Sequence, residues 1–150
     1  MQRHLQTIFC DDIRHETSGK LTLVGMYSDS LFVSQWPATL PRLCLVARLI
    51  SSLKAPPRSV RLRVYQGTNL IQEVMAQEAD LAAMLRNVPT YESAGSDDRV
   101  QIVQFLLEFA PFQVNGPCLL RVHAETEDGL HEGASLSISQ TPTAGPVTLQ

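Results

Sequence analysis

The sequence predicts an all-β fold, and the class that fits it best is an antiparallel β-sandwich of immunoglobulin-like or related topology. Apolar and polar residues alternate with a period of two in several segments, most regularly over residues 60–65, as in strands with one buried face. Turn sequences separate these segments at short intervals. The strands are too numerous for one small flat sheet, whereas two packed sheets bury their apolar faces against each other.

The predicted strands are separated by residues that favour turns. Ser18-Gly19 follows the first strand, Pro56-Pro57 precedes the fifth, and Asn115-Gly116-Pro117 leads into the eighth. Asp128-Gly129 favours the positive φ angles of a two-residue hairpin turn, and we expect Ser18-Gly19 to form such a turn as well. In chain order the predicted strands are residues 4–16, 20–27, 30–34, 42–52, 58–66, 70–76, 100–110, 117–126 and 130–139.

One short helix is predicted over residues 78–87. Leu81, Met84 and Leu85 follow the i, i+3, i+4 spacing of a helix face, and acidic residues occupy the first turn. Residues 88–98 are rich in turn-forming types, and we expect them to form an exposed loop.

Length and composition are those of one compact domain. The chain has 150 residues, of which 44% are hydrophobic and 18% charged, and a chain of this length buries roughly 70% of the surface that its unfolded form exposes. We expect residues 1–140 to form a single domain. Residues 141–150, with two prolines and one glycine, are predicted to be either a loose C-terminal tail or an arm that docks on a neighbour.

Charge and hydropathy argue against several classes of function. The net charge is −3, which leaves no basic surface for a nucleic-acid backbone. The sequence contains no run of about 18 apolar residues that could span a membrane, and Asp11-Asp12 ends the apolar start too early for a secretory signal. We therefore expect a cytoplasmic protein with neither a nucleic-acid nor a membrane partner.

The three cysteines are predicted to be buried, reduced thiols. Cys10, Cys44 and Cys118 lie at long spacings in apolar, strand-like segments. The separation of Cys44 and Cys118 suits the inter-sheet disulfide of an immunoglobulin domain, but Trp36 comes before this pair instead of after its first member. A disulfide is therefore the less favoured alternative.

No metal or other cofactor is predicted. If Glu127 pairs with Leu130 in the last hairpin, His123 and His131 point to opposite faces of the sheet and cannot easily share an ion. The chain has no Cys-x-x-Cys or His-Glu-x-x-His motif. Its acidic stretches, at residues 97–98 and 125–128, could hold calcium if they met at one end of the domain, but neither follows an EF-hand pattern.

The N-terminal hairpin carries a family resemblance. Residues 9–27 contain the pattern Cys-Asp-acid-aliphatic-Arg-x-Glu, then Gly-Lys, then Gly-x-Tyr, and Trp36-Pro37 and Leu40-Pro41 follow. This segment resembles the opening of an uncharacterised family of small bacterial and phage-borne proteins, a domain of unknown function. The resemblance implies a compact β-sandwich and no established activity, and it adds no catalytic residue.

Two rows of polar side chains are candidate binding surfaces. The first is Asp12, Arg14 and Glu16, which a two-residue turn places on one face of the first strand. The opposite face then carries Phe9, Ile13, Val24 and Met26. The row is either a solvated set of ion pairs or a surface on which the planar Arg14 side chain binds a carboxylate or a partner loop.

The second row is Arg61, Arg63 and Tyr65, which project from one side of a single strand. Arg121 and His123 are expected on an outer face of the same or of the opposing sheet. Together these side chains form either an anion-binding patch or an ordinary solvated face.

No catalytic residue is predicted, because the chain lacks Gly-x-Ser-x-Gly, a phosphate-binding loop and the Rossmann fingerprint. We expect a non-enzymatic binding module that meets an unknown protein partner through loops, strand faces or an uncovered sheet edge. Two alternatives remain. One is a phage or bacterial assembly component that forms a homo-oligomer, and the other is a small hydrolase with a dispersed site that uses Ser93 or Ser96 and a distant histidine.

Overall fold

The computed structural model describes residues 2–85 and 99–142 and shows a mostly β chain with one short helix. The elements are β1 (His4–His15), β2 (Leu21–Met26), β3 (Ser30–Val33), β4 (Ala38–Leu40), β5 (Leu43–Ser52), β6 (Val60–Gln66), β7 (Asn69–Ala76), α1 (Glu78–Leu85), β8 (Val100–Phe109), β9 (Phe112–Val114), β10 (Cys118–Thr126), β11 (Gly129–Glu132) and β12 (Leu136–Gln140).

The strands form three sheets. The first has four antiparallel strands in the order β2-β1-β5-β8. The second has the order β3-β12-β10-β6-β7, with β11 also paired to β10, and its β12–β3 pair is parallel. The third is the short antiparallel pair of β4 and β9.

One hydrophobic core joins the two larger sheets. Leu45 and Leu49 from β5 lie in the same buried cluster as Val64 from β6 and Val122 from β10, and all four are shielded from solvent. Within each strand, the buried side chains include those at every second position. The alternation of apolar and polar residues in the sequence therefore reflects the pattern of burial. Each such side chain stabilises the fold by about 1.5–3 kcal/mol relative to exposure.

Eight predicted strands are found with ends within two residues of the prediction, and the ninth is divided. The segment predicted as 130–139 forms β11 and β12, which pair with successive parts of β10. Gly133 separates them: a Cβ atom there would collide with the Thr7 side chain, whose Oγ1 donates a hydrogen bond to Ala134 O (2.7 Å). The short strands β4 and β9 were not predicted.

The helix is found where the sequence predicts it. It begins after Gln77, whose N–H donates to the Asp80 carboxylate (2.9 Å) in a capping arrangement, and Leu81 is buried in the core. In the described part of the chain, no helix is long and apolar enough to cross a membrane. The predicted loop 88–98 and residues 143–150 of the predicted tail lie outside the described residues, and the single-domain boundary at residue 140 stays a prediction.

Candidate functional site

The first hairpin closes through three residues, Thr17-Ser18-Gly19, where two were predicted. The N–H of Glu16 donates to Lys20 O (2.8 Å), and the N–H of Gly19 donates to Glu16 O (3.1 Å). Gly19 has a φ of 79°, the left-handed conformation that ends such three-residue loops. The extra loop residue shifts the pairing of β1 and β2 by one position.

This shift exchanges side chains between the faces of β2. Val24 lies opposite Asp12, and Leu23 lies opposite Ile13. The prediction that Val24 and Met26 share the face of Ile13 is therefore wrong, because a slip of one residue moves every side chain of a strand to the other face. Met26 is 60% exposed.

The predicted row of charges is part of a longer chain of ion pairs. Asp12 Oδ1 accepts a hydrogen bond from Arg42 Nη1 (2.7 Å), and Arg42 Nε lies 3.1 Å from Glu108 Oε1. The hydrogen bond from Arg42 lowers the pKa of Asp12 below its usual value. Arg14 Nε lies 3.8 Å from Asp12 Oδ2, and its side chain is 68% exposed. Glu16 accepts a hydrogen bond from within its own hairpin. Arg14 is thus the most weakly held member of the predicted row.

The Gly-x-Tyr motif has a direct structural role. Tyr27 Oη donates a hydrogen bond to Asp11 Oδ1 (2.5 Å). The Asp11 side chain crosses Gly25 on the way, and a Cβ atom at that glycine would collide with it. Burial and the bond to Asp11 raise the pKa of Tyr27 to about 12. These motif residues therefore fasten β1 to the end of β2.

The three cysteines are free, as predicted. Cys10 and Cys44 lie opposite each other in β1 and β5 and are buried, whereas Cys118 is half-buried. Burial raises the pKa of Cys10 to about 11 and raises the pKa of Cys44 and of Cys118. All three thiols are therefore protonated and weakly nucleophilic at neutral pH.

The second predicted row lies on one face of β6, next to Arg121 and His123 of β10 in the same sheet. Arg121 lies over the Tyr65 ring, 5.7 Å from its centroid. The Tyr65 and His123 rings are 5.3 Å apart between centroids. The aromatic and cationic groups of this row are therefore in contact with one another.

The arginines of this row face carboxylates. Arg63 Nε is 2.9 Å from Glu73 Oε2, and Arg63 Nη1 is 3.1 Å from Glu125 Oε2. Arg61 lies opposite Glu125 in the register of β6 and β10. The hydrogen bond from Arg63 lowers the pKa of Glu73. A ligand anion at Arg63 would compete with two carboxylates of the chain itself.

The last hairpin turns at Glu127-Asp128, so Thr126 lies opposite Gly129 and the predicted Glu127–Leu130 pair is wrong. The register differs from the prediction by two residues, which preserves the faces. His123 and His131 therefore point to opposite faces, as predicted. The described residues contain no group of three or more His, Cys, Asp or Glu side chains placed to hold a metal ion. Ser93, Ser96 and the acidic pair 97–98 lie outside the described residues.

Arg3 is a buried cation that the sequence reasoning missed. Its side chain is 5% exposed. Its Nη2 donates to Glu127 Oε1 (2.6 Å), and its Nη1 donates to Thr126 Oγ1 (2.9 Å) and lies 2.9 Å from Asp128 Oδ2. It also donates to the carbonyl oxygens of residues 55 and 56. Its position in the sequence does indicate burial. Arg3 lies two residues before the buried Leu5, so the alternation of inward and outward side chains places both on the inward face.

The Arg3 guanidinium thus holds two carboxylates of residues 125–128, one of the two acidic stretches that could have held calcium. Burial alone would raise the pKa of Glu127, but hydrogen bonds from Arg3 and from backbone N–H groups outweigh burial and lower this pKa to about 2. A cleft of about 740 Å³ opens beside the cluster and is lined by groups of both signs. Its Arg3, Glu127 and Asp128 side chains already pair with one another.

A second cleft, of about 750 Å³, lies where three connections meet. These are the β6–β7 turn, the β8–β9 connection and the β9–β10 connection. We call it the amide cleft, because its lining includes four carboxamide side chains and two phenyl rings: Gln66, Asn69, Gln113, Asn115, Phe109 and Phe112. In the part of the chain that the structure describes, no charged side chain lines it.

Two contacts fix the wall of the amide cleft. Gln66 Nε2 donates to Gln113 O (3.1 Å), which ties the β6–β7 turn to β9. The rings of Phe109 and Phe112 meet edge to face, 5.9 Å apart between centroids. Cys118 also lines the cleft. No sequence pattern indicated this site, because its residues come from segments that only the tertiary fold brings together.

The comparisons with known proteins identify a family. The sequence model of a family of unknown function (DUF6941) matches residues 6–139. No match was found among curated proteins or among solved structures. The matched range includes every residue of the amide cleft and both predicted rows, whereas Arg3 precedes it. The chain therefore belongs to DUF6941, a family of unknown function.

Proposed function

We propose that the chain is a non-enzymatic binding module that takes its ligand in the amide cleft. The observation that carries this proposal is the convergence of three connections on one concave surface of about 750 Å³, a size typical of ligand pockets, which span about 300–1,000 Å³. The connections extend from strands of a buried core, which is how binding loops are usually held.

The chemistry of the cleft favours binding over catalysis. Among the described residues, the lining contains no serine, histidine or acidic residue, and Cys118 is its one nucleophile. Burial raises the pKa of that thiol, so it is protonated at neutral pH and reacts slowly. The carboxamides are neutral over the whole physiological pH range, so they orient a ligand without exchanging protons with it.

The test is whether a natural ligand shields Cys118. The full chain is treated with iodoacetamide in the presence and absence of fractions of its native cell lysate, and modification at each cysteine is followed by mass spectrometry. We expect one fraction to slow modification of Cys118, while the buried Cys10 and Cys44 serve as internal references. If no fraction slows it, the cleft is not the binding site.

A matched pair of variants assigns the shielding ligand to the cleft. Gly116 lines the cleft, has no left-handed φ, and has open space where a Cβ atom would be added. Gly116→Phe therefore adds a bulky side chain at a lining position where no left-handed φ opposes it, and it should abolish binding of the isolated ligand. Leu119→Phe enlarges an exposed side chain outside the lining and should leave binding intact. Equal binding by both variants would contradict the proposal.

A protein partner can also engage the predicted rows, and Asp12, Arg14 and Glu16 form the better supported surface. The Arg14 side chain is 68% exposed and 3.8 Å from its nearest carboxylate, so its planar donors are free to pair with an acidic partner group. Arg61, Arg63 and Tyr65 are less favoured, because Arg63 already contacts two carboxylates. Loss of a captured partner with Arg14→Ala supports the first surface, and unchanged capture removes it.

Self-association is the second candidate function. Phe32 and Met26 are 58% and 60% exposed, and they lie on β3 and β2, each of which is one edge strand of a larger sheet. Exposed sheet edges pair readily with other chains. A bacterial or phage assembly component would use such edges. Sedimentation of the full chain decides: an oligomer that Phe32→Lys dissociates supports this candidate, and a monomer at all concentrations removes it.

For the fold and the cellular location we propose an immunoglobulin-like sandwich in the cytoplasm. The shared core of two largely antiparallel sheets supports the first proposal. Three free cysteines support the second, because the cytoplasm keeps thiols reduced.

A further inference from the structure

We propose that the ligand of the amide cleft is an uncharged, proline-containing segment of polypeptide. This inference rests on the proposed function of the cleft as a binding site and names the class of ligand. Three properties of the lining support it: its lack of charge, its carboxamides and the shape of its apolar wall.

The lack of charge excludes ionic ligands. Every lining residue in the described ranges 2–85 and 99–142 is uncharged at neutral pH. Arg121, which reaches the same turn, donates its Nη2 to Gly67 O (2.9 Å) and lies over the Tyr65 ring, so it is held outside the lining. A charged group that entered the cleft would lose hydration and find no opposite charge.

The carboxamides match the hydrogen-bonding groups of a peptide backbone. Each one carries a donor and an acceptor, as does each peptide unit. Asn69, Gln113 and Asn115 are exposed, so these three amides are accessible at the surface. Gln66 donates its Nε2 to Gln113 O, and its side chain also hydrogen-bonds with the Cys118 thiol. An extended segment that entered the cleft would therefore find partners for both N–H and C=O groups.

The apolar wall favours a compact ring. Phe112 is buried and meets the half-buried Phe109 edge to face, so the two rings make an angled wall instead of one flat platform. Pro111 and Pro117 flank it. Proline-rich segments bind aromatic-lined grooves in an extended helix whose backbone carbonyls stay free to accept hydrogen bonds, so a proline ring is the apolar group that we expect at this corner. A sugar, by contrast, would need an aromatic ring with an open face on which its own flat face could stack.

The test is a selection from an unbiased library. Random decapeptides of all twenty residue types are displayed and selected on the full chain, with counter-selection on Gly116→Phe. We expect the enriched peptides to share a core that contains proline and lacks Asp, Glu, Lys and Arg. A synthetic peptide with that core should slow iodoacetamide modification of Cys118 and bind Gly116→Phe about tenfold or more weakly, as for loss of a central contact. Leu119→Phe should bind it like the wild type.

Charge variants provide a reciprocal test. Asn69→Asp and Gln113→Glu keep the side-chain shape and add one negative charge each to the exposed amides. If the missing charge determines the ligand class, selection on these variants should enrich Lys or Arg in the shared core. Enrichment of the same uncharged core on wild type and on both variants would overturn the argument from charge.

The outcomes separate this inference from the proposed function. If selection on the wild type enriches peptides with charged cores, the proposed ligand class is wrong although the cleft still binds. The same conclusion holds if maltotriose, an uncharged sugar used as a probe, shields Cys118 and no selected peptide does so. If no native lysate fraction shields Cys118, the proposed function itself fails.

Discussion

Arg3 holds together three segments that are distant in the sequence. It bonds the carboxylates of the β10–β11 turn and two carbonyl groups of the segment after β5 from a side chain that is almost fully buried. Removing the guanidinium would leave the Glu127 carboxylate, whose side chain is 31% exposed, without its main partner. Single residues of this kind matter because the loss of one partner leaves the other unpaired.

We expect Arg3→Met to lower the free energy of unfolding by about 1–3 kcal/mol, less than for a fully buried pair because water reaches both Glu127 and Asp128. Urea denaturation at pH 7 measures the change. Arg14→Met is the matched control, since that arginine is mostly exposed and should leave stability almost unchanged. Equal effects of the two substitutions would contradict the role of Arg3.

Glu127 gives stability a defined pH dependence. Its pKa falls from the ordinary 4.5 to about 2 in the folded chain, so the folded state binds the proton more weakly than the unfolded state. The stabilisation is complete above about pH 4.5 and is lost as the pH falls toward 2. We expect part of the acid loss of stability to be missing in Glu127→Gln, as measured by urea titrations from pH 7 to 3. Parallel pH profiles would disprove this assignment.

Gly25 is required by both its backbone and its surroundings. It has a φ of 66°, and the Asp11 side chain occupies the space of a Cβ atom. We expect Gly25→Ala to cost about 1–3 kcal/mol. Gly116→Ala, at a position with open space and no left-handed φ, should change stability by less than about 0.5 kcal/mol. Thermal unfolding of the two variants side by side tests the difference.

At the scale of elements, the alternation of apolar and polar residues predicted the strands well. It did not predict their register, which the turns determine. Apolar and polar residues alternate over residues 60–65 because one face of β6 is buried, so the pattern directly indicates the strand. Strand register depends instead on loop length, and the Ser18-Gly19 sequence does not show that the first hairpin loop has three residues. An error of one residue at that loop moved Val24 to the wrong face, whereas the two-residue error at Asp128-Gly129 moved no side chain to another face.

The register of the first hairpin is open to a direct test. Leu23 is half-buried on the face of Ile13, and Met26 is exposed. We expect Leu23→Ser to destabilise the chain by about 1–2 kcal/mol, a value reduced for partial burial, and Met26→Ser to have little effect. The register predicted from a two-residue turn requires the reverse order, so urea denaturation of the two variants distinguishes the registers.

For the whole molecule, the candidate site lay beyond what the sequence could predict. The amide cleft takes side chains from residues 66–71 and 109–118, and no local spacing connects these segments. Arg3 and Glu127 meet across 124 positions for the same reason. Local patterns identify strands and charged rows, whereas a cleft formed by connections depends on the order of strands in the sheets, which alternation does not specify.

The most direct test of the amide cleft is chemical-shift mapping of the full chain by NMR with a selected uncharged peptide. We expect the largest shifts at Asn69, Gln113 and Asn115, with Asp12, Arg14 and Glu16 unchanged. Shifts centred on that charged row, or on Arg61, Arg63 and Tyr65, would contradict the assignment of the binding site to the amide cleft.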